Sequence, residues 1–242
     1  MKRSLLINIV VPVHNEQADL SKNIALLNTF LRKNISDSWQ ITIANNASTD
    51  NSLNIARELE NKYDNVRCIH LGQKGRGRAL KKAWNESNAD ILCYMDADLS
   101  TGLEAFPRLV QAIRDGAVVA TGNRFHRNSV IKRDLKRTLL SKGYSTIARL
   151  IVNTKIPDLQ CGFKAISKKA KNELLPKVQN NVWFFDSELL VLAEKKGYSI
   201  AQVPVKWTES KRKSKVTVVQ TIIDYLKNLY SLRTRLKKQG LL

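Results

Sequence analysis

The stretch Asp90-Ile91-Leu92-Cys93-Tyr94-Met95-Asp96-Ala97-Asp98 decides the fold. Its apolar run, unbroken by alternation, reads as a strand over 90–95 that is covered on both faces. Two carboxylates one residue apart stand at its carboxyl end. A strand of this kind belongs inside a sheet that carries helices on both sides.

The chain on either side repeats the unit. Residues 7–13 form a similar apolar run, with Pro12 near its end, where a missing N–H does least harm. Apolar residues at Leu20, Ile24, Leu27, Phe30 and Leu31 predict a helix over 18–33. A second strand over 41–44 stops at Asn45-Asn46-Ala47-Ser48-Thr49-Asp50, where Ser48, Thr49 or Asp50 is placed to cap a helix over 52–61. A third strand over 66–71 runs into Gly72-Gln73-Lys74-Gly75-Arg76-Gly77-Arg78, and a helix follows over about 79–86. A helix over 103–114 and a strand over 117–121 complete the first half. Strand and helix alternate, which predicts an α/β fold with a mostly parallel central sheet flanked by helices. Ligands in such sheets sit beyond the carboxyl ends of the strands, where every polar cluster named so far lies.

Beyond residue 122 the pattern changes. Residues 124–142 are strongly basic, and helices are expected over 139–152, 168–175 and 185–196, with a strand over 200–205. The tail, 216–238, is helical in pattern, with Val219, Ile222, Ile223, Leu226, Leu229, Tyr230 and Leu236 on one broad face.

Composition narrows the class. The chain has 242 residues, with 41 Lys+Arg against 21 Asp+Glu, a net charge of +20. A hydrophobic share of 43% supplies a core and excludes bulk disorder. Three cysteines without CxxC spacing argue against a disulfide framework or a structural zinc site, and for a reducing compartment. Cys68 and Cys93 fall in apolar strands and are expected as core thiols. No apolar run is long enough for a transmembrane helix. The first twelve residues read as a buried strand, since their apolar stretch is short, broken by Asn8, and lacks a small-residue cleavage site. The positive excess requires an anionic partner: nucleic acid, a membrane surface or a phosphorylated substrate.

The clusters carry chemistry of different sharpness. Asp96 and Asp98 suit one hard cation held between carboxylates and a substrate phosphate, Mg2+ or Mn2+; a helix-capping turn is the plain alternative. The amides of Asn45 and Asn46 suit a nucleobase edge, or an ordinary Asx-rich turn. The basic loop with Gly72, Lys74, Gly75, Arg76, Gly77 and Arg78 suits phosphate at a helix start, or a solvated turn. It is neither a Walker A loop nor a dinucleotide fingerprint. His70 and His126 show no partner pattern.

In order, Pro12-Val13-His14-Asn15-Glu16, the 45–50 cluster, the loop at 75–79, Asp96-Ala97-Asp98-Leu99, Gly122-Asn123-Arg124 and Gly162-Phe163-Lys164 resemble the inverting glycosyltransferases of family 2. That resemblance implies the GT-A (nucleotide-diphospho-sugar transferase) fold. The segments Asp158-Leu159-Gln160-Cys161-Gly162-Phe163-Lys164-Ala165 and Trp183-Phe184-Phe185-Asp186-Ser187-Glu188-Leu189-Leu190 resemble the polyprenyl- or dolichyl-phosphate glucosyl- and mannosyltransferases. So do Val203-Pro204-Val205-Lys206-Trp207 and Ser214-Lys215-Val216. The likeness spans roughly residues 7–232 and implies a catalytic domain over 1–210. Its nucleotide-sugar half is 1–122, its acceptor half is 123–210, and a basic loop and amphipathic helix follow over 211–242.

By position, the resemblance implies that Pro12, His14 and Glu16 hold the nucleoside and that Ala44 and Asn46 contact the base. Asp96 lies near the ribose and shares the metal with Asp98, with Ala97 and Ser100 beside them. Lys74 and Arg124 belong to the phosphate contacts. Arg137 and Ser141 hold the acceptor phosphate. Lys215 and Arg212 belong to a basic loop over the diphosphate. Where the family more often has Asp, Asn45 and Asn46 stand here, and an Asn carbonyl accepting from uracil N3–H favours a UDP-sugar.

The implied reaction is hexose transfer, with UDP-glucose the expected donor, to a polyprenyl or dolichyl phosphate with inversion. GDP-mannose, or a non-lipid sugar acceptor, is the alternative. Catalysis is expected from Asp98, Arg124, Lys215 and Asp186. A phosphate monoester acceptor is already largely ionised and needs positioning more than a base. A hydroxyl acceptor would need a carboxylate, with Asp158, Asp186 and Glu188 the candidates; for Asp158 and Asp186, capping a loop or pairing with nearby Lys or Arg is the structural alternative. The Trp183-Phe184-Phe185 cluster reads as an acceptor groove or as core.

The basic 124–142 segment and tail predict a peripheral attachment to an anionic membrane surface on its cytoplasmic face. The tail packing onto the catalytic domain is the rival. A nucleic-acid-binding protein would account for the charge but not for Asp96 and Asp98, and no nucleic-acid motif is present. Nucleic acid is therefore not an expected partner.

Overall fold

The computed structural model describes residues 4–132, 135–209 and 218–242. In chain order the elements are β1 (Leu6–Val13), α1 (Leu20–Asn34), β2 (Ser38–Asn46), α2 (Ser52–Lys62), β3 (Val66–Leu71), α3 (Arg76–Glu86) and β4 (Ile91–Met95). There follow α4 (Phe106–Arg114), β5 (Val119–Asn123), β6 (Val130–Lys132), α5 (Leu135–Val152), β7 (Phe163–Ser167) and α6 (Lys168–Glu173). The last are α7 (Phe185–Lys195), β8 (Ile200–Pro204), β9 (Lys206–Thr208) and α8 (Val218–Lys238). Leu103–Ala105 is a 3-10 turn leading into α4.

Seven strands form one sheet in the order β3-β2-β1-β4-β7-β5-β8. All its pairings are parallel except those of β7, which runs antiparallel between β4 and β5. β6 and β9 make a separate two-stranded ribbon. The sheet crosses residue 122 without a break, so the two expected halves share one layer.

Alternation along β1 sorts the core. Ile7, Ile9, Val11 and Val13 pack with α1, α2 and α4 on one face. Val10 points to the other face, where α3, α5, α6, α7 and α8 cover the sheet. Leu229, Leu232 and Leu236 of α8 are fully buried there, so the tail packs onto the sheet domain, as the rival reading had it. Cys93 and Cys161 are buried and Cys68 half-buried.

Two departures from the sequence reading matter for the site. β7 was not expected: the strand Phe163-Lys164-Ala165-Ile166-Ser167 carries a lysine that is fully buried. And α3 starts at Arg76, three residues before the expected start. Its glycines make room for a neighbouring segment. A Cβ at Gly75 would stand 2.5 Å from the Asn181 carbonyl, and one at Gly77 would stand 2.8 Å from the Cβ of Phe185.

Candidate active site

Because β1, β2, β4 and β5 are mutually parallel in direction, their carboxyl ends share one edge of the sheet, and β7, being antiparallel, brings its amino end there. The loops on this edge are strained. Asn15, Ala47 and Leu99 have φ of 57°, 53° and 50°, in the left-handed region that L side chains rarely adopt. Such strain clusters where structure serves a site.

Asp96 lies at the centre of this edge. Its backbone N–H donates to the Gly162 carbonyl at 3.2 Å. A Cβ on residue 162 would fall on its carboxylate, so Gly162 makes the space that the carboxylate fills. Arg76 donates to Asp96 Oδ1 at 3.2 Å. Burial pushes the Asp96 carboxyl up to about 6; Arg76 pulls it down and Asp98 pushes it up. Asp98 is exposed, and its Oδ1 accepts from the Ser100 N–H at 3.0 Å, a turn of its own loop rather than a cap on α4. Two carboxylates on one strand end, one held and one facing solvent, are the hard oxygen donors that Mg2+ or Mn2+ takes beside phosphate and water. The residues fit such a cation. Among the described residues no third carboxylate, histidine or cysteine joins them.

Beneath Asp96 lies a buried charged cluster. Asp186, at the start of α7, accepts from Arg76, from the Tyr94 hydroxyl, and from Lys164 at 3.0 Å. Its side chain is 1% exposed. Burial alone would raise its carboxyl, but Arg76, Lys164 and Tyr94 outweigh that and hold it below the usual range. The Arg76 guanidinium lies 4.6 Å from the Trp183 ring and 5.7 Å from that of Tyr94. Tyr94 and Lys164 are members of this cluster that the sequence reading assigned no role, and Arg76, offered there for phosphate as part of the basic glycine loop, bonds two carboxylates. The one available signal was a lysine inside an apolar run at 163–167.

Arg124, at the end of β5, meets Asp158 in a fork: Nε to Oδ2 at 2.8 Å and NH2 to Oδ1 at 2.8 Å. The Arg124 backbone N–H adds a third bond at 2.9 Å. Burial would raise Asp158, and Arg124 with its hydrogen bonds more than reverses this. Glu188 accepts from the backbone N–H groups of Gln179 and Asn180 at 3.0 and 2.7 Å, and from Arg235. The three carboxylates offered as hydroxyl bases, Asp158, Asp186 and Glu188, are thus each buried and engaged. This corrects the expectation that Asp186 acts directly: its oxygens are occupied and closed to an acceptor.

On the β1–β2 side, the His14 ring nitrogen Nδ1 lies 3.0 Å from the Asn46 carbonyl, and the Glu16 N–H donates to Ser52. Pro12 and Glu16 are half-buried, and Ala44 is enclosed in the sheet, opposite Pro12. Asn46 Oδ1 accepts from the Gly75 N–H at 2.6 Å, so this amide braces the glycine loop. Asn45 Nδ2 sits 2.8 Å from His70 Nδ1, and its buried Oδ1 has no partner. The open acceptor of the pair is therefore Asn45. Ala97 is buried and its carbonyl takes the Asn23 amide at 2.9 Å; Ser100 lies in the Asp98 turn; Lys74 is exposed. Ser141 is buried on α5. The side chain of Arg137, and Arg212 and Lys215 altogether, lie outside the described residues.

Glycosyltransferase AglD of Haloferax volcanii is 34% identical over 223 residues, covering 90% of this chain and 35% of its own length. Dolichyl-phosphate beta-glucosyltransferase of Saccharomyces cerevisiae is 28% identical, covering 85% of this chain and 67% of its own length. The chain thus spans about a third of the first and about two thirds of the second. Glucosyl-3-phosphoglycerate synthase of Mycobacterium tuberculosis, solved with Mn2+, uridine diphosphate and glucosyl-3-phosphoglycerate, superposes with a TM-score of 0.66. It is 16% identical and covers 94% of this chain and 80% of its own. That likeness shows the GT-A fold. The pattern of the family described as Glycosyl transferase family 2 matches residues 8–175, and the chain belongs to that family of glycosyltransferases.

Proposed function

We propose that this chain transfers a hexose, with UDP-glucose the expected donor, to a polyprenyl or dolichyl phosphate with inversion at C1 and with a divalent cation. The observation that carries the acceptor is the engagement of Asp158, Asp186 and Glu188. A hydroxyl acceptor needs a base at the reacting atoms. A phosphate monoester, with a second pKa near 6, brings its own charge. The names of the relatives support the same class of acceptor.

In this reading a phosphate oxygen of the acceptor forms the bond to C1 as the C1–O bond to the diphosphate breaks. No proton has to be removed from the nucleophile. Negative charge grows on the departing diphosphate, and stabilising it is the main task. Asp96 and Asp98 would hold the cation, which supplies positive charge to that diphosphate. Arg124 keeps three of its five N–H donors outside the Asp158 fork, and these suit phosphate oxygens. Asn45 Oδ1 is the buried acceptor available to a base N–H. Lys74, Arg212 and Lys215 would add cations at the diphosphate, and Arg137 a cation and Ser141 a hydroxyl donor at the acceptor phosphate.

The lipid side has its own support. The Tyr144 and Tyr225 rings lie 4.9 Å apart, and Arg233 donates to the Ile151 carbonyl at 2.6 Å, so α5 and α8 run parallel and side by side. Leu139, Ile147 and Leu150 of α5 are exposed at helical spacing, as are Ile223 and Tyr230 of α8. Lys142 and Arg149 flank them, also exposed. Apolar side chains between cations suit the interface of an anionic bilayer. No helix among the described residues is long and apolar enough to cross one.

The test is transfer by the purified protein with Mn2+, a panel of UDP- and GDP-sugars, and vesicles carrying a polyprenyl phosphate. Lipid-linked glucose from UDP-glucose alone supports the proposal. Lipid-linked mannose from GDP-mannose replaces the donor, and no lipid product with any donor refutes the acceptor.

A further inference from the structure

Four charges lie together at the floor of the site: Arg76 and Lys164, Asp96 and Asp186. Arg76 and Asp186 sit on different elements, α3 and α7, and Lys164 is on β7. The side chains of Lys164 and Asp186 are 0% and 1% exposed, and that of Arg76 is 11% exposed. Arg76 is shared between two carboxylates. It donates to Asp96 at 3.2 Å through one terminal nitrogen and to Asp186 through the other. Asp186 is shared in turn between two cations.

The arrangement solves a conflict. Asp96 has to be held in place, and a guanidinium does so through directed bonds. But a guanidinium given wholly to Asp96 would neutralise the charge that a divalent cation needs, and would repel that cation. We propose that Asp186 is a positioning residue that draws Arg76 off Asp96, so that Arg76 orients the Asp96 carboxylate without cancelling it. This rests on the reading that Asp96 and Asp98 hold the cation. Trp183 covers the guanidinium, which keeps it on the floor of the site.

Removing a member of a buried ion cluster leaves the others to find new partners. Without the Asp186 charge, Asp96 is the remaining carboxylate in reach of Arg76, and Arg76 settles on it. Without the Lys164 charge, Asp186 is left to Arg76 alone, and Arg76 is drawn further from Asp96. The two variants therefore move cation binding in opposite directions. A role in packing alone would move both the same way, toward loss.

The test is Mn2+ binding to the purified protein in the presence of UDP, read from the free-Mn2+ spin-resonance signal, with melting curves to measure the folded fraction. Asp186→Asn is expected to weaken Mn2+ binding by roughly tenfold. Lys164→Gln is expected to bind as tightly as wild type or more so. The pair Arg76→Gln with Asp186→Asn, which removes both charges together, is expected to return to within about threefold of wild type. The proposal is overturned if folded Asp186→Asn binds Mn2+ as wild type does, or if Lys164→Gln is weakened as Asp186→Asn is. Should Asp186→Asn not fold, Lys164→Gln and the double variant still decide it. If wild type itself binds no Mn2+, the cation reading fails first and this inference with it.

Discussion

Gly162 and Asp96 stand so close that a methyl group on residue 162 would overlap the Asp96 carboxylate. The carboxylate is also bonded to Arg76, so it has little freedom to step aside. Gly162→Ala is therefore expected to displace Asp96 at a stability cost of about 1–3 kcal/mol. Sugar transfer should fall by more than the small loss of folded protein explains. Steady-state rates beside melting curves check this.

Asp98 offers the converse case. It is exposed, and its Oδ1 is bonded within its own turn. Asp98→Asn keeps an oxygen for the Ser100 N–H and should change stability by less than about 0.5 kcal/mol. Loss of a negative cation ligand should nevertheless lower transfer by roughly a hundredfold or more. Full activity in the Asn variant would exclude Asp98 as a ligand.

The Arg124–Asp158 fork is buried on both sides, with side chains 10% and 1% exposed. Asp158→Asn leaves a buried guanidinium without its counter-charge, expected to cost about 3–5 kcal/mol. For a chain of this size that is a fall in melting temperature of roughly 6–20 °C. The folded Asp158 carboxyl is held below its ordinary range, so its contribution is complete above the unfolded value near 3.9 and fades as pH falls through the folded one. The gap between wild type and variant should stay level from about pH 5 to about pH 8 and narrow only below about pH 4.

For the α5–α8 face the expectation is selective. Leu150 and Tyr230 are 76% and 60% exposed, so Leu150→Asp with Tyr230→Ser should leave the melting curve in place. Sedimentation with anionic vesicles should weaken, and transfer to a vesicle-borne acceptor with it. Transfer to a short-chain acceptor in detergent should be retained. Equal vesicle binding by both proteins would remove this face from the account.

Much of this was legible in the sequence because the strands are apolar runs between turn clusters. β1, β3 and β4 match their expected spans within a residue or so, and Asp96 and Asp98 stand at a strand end as expected. β7 was hidden because Lys164 reads as a surface residue, whereas it is buried against Asp186 of α7. β6 and β9 have three residues each, too few for a periodic signal. α3 begins inside a glycine-rich loop because Gly75 and Gly77 meet residues 180–185, a contact far along the chain. For the same reason the carboxylate partners of Arg76 and Arg124 were out of reach, although both arginines were offered for phosphate: those partners lie 110 and 34 residues away. An ion pair of that separation leaves no local pattern.

In the proposed reaction the acceptor supplies its own negative charge. The most direct measurement offers the purified protein, with UDP-glucose and Mn2+, matched vesicles containing either a polyprenyl phosphate or the corresponding polyprenol, and follows labelled glucose into lipid. Glucosylated lipid is expected from the phosphate and none from the alcohol. Glucosylated polyprenol at a comparable rate would mean that a base activates a hydroxyl in this site, and would contradict the proposed reaction.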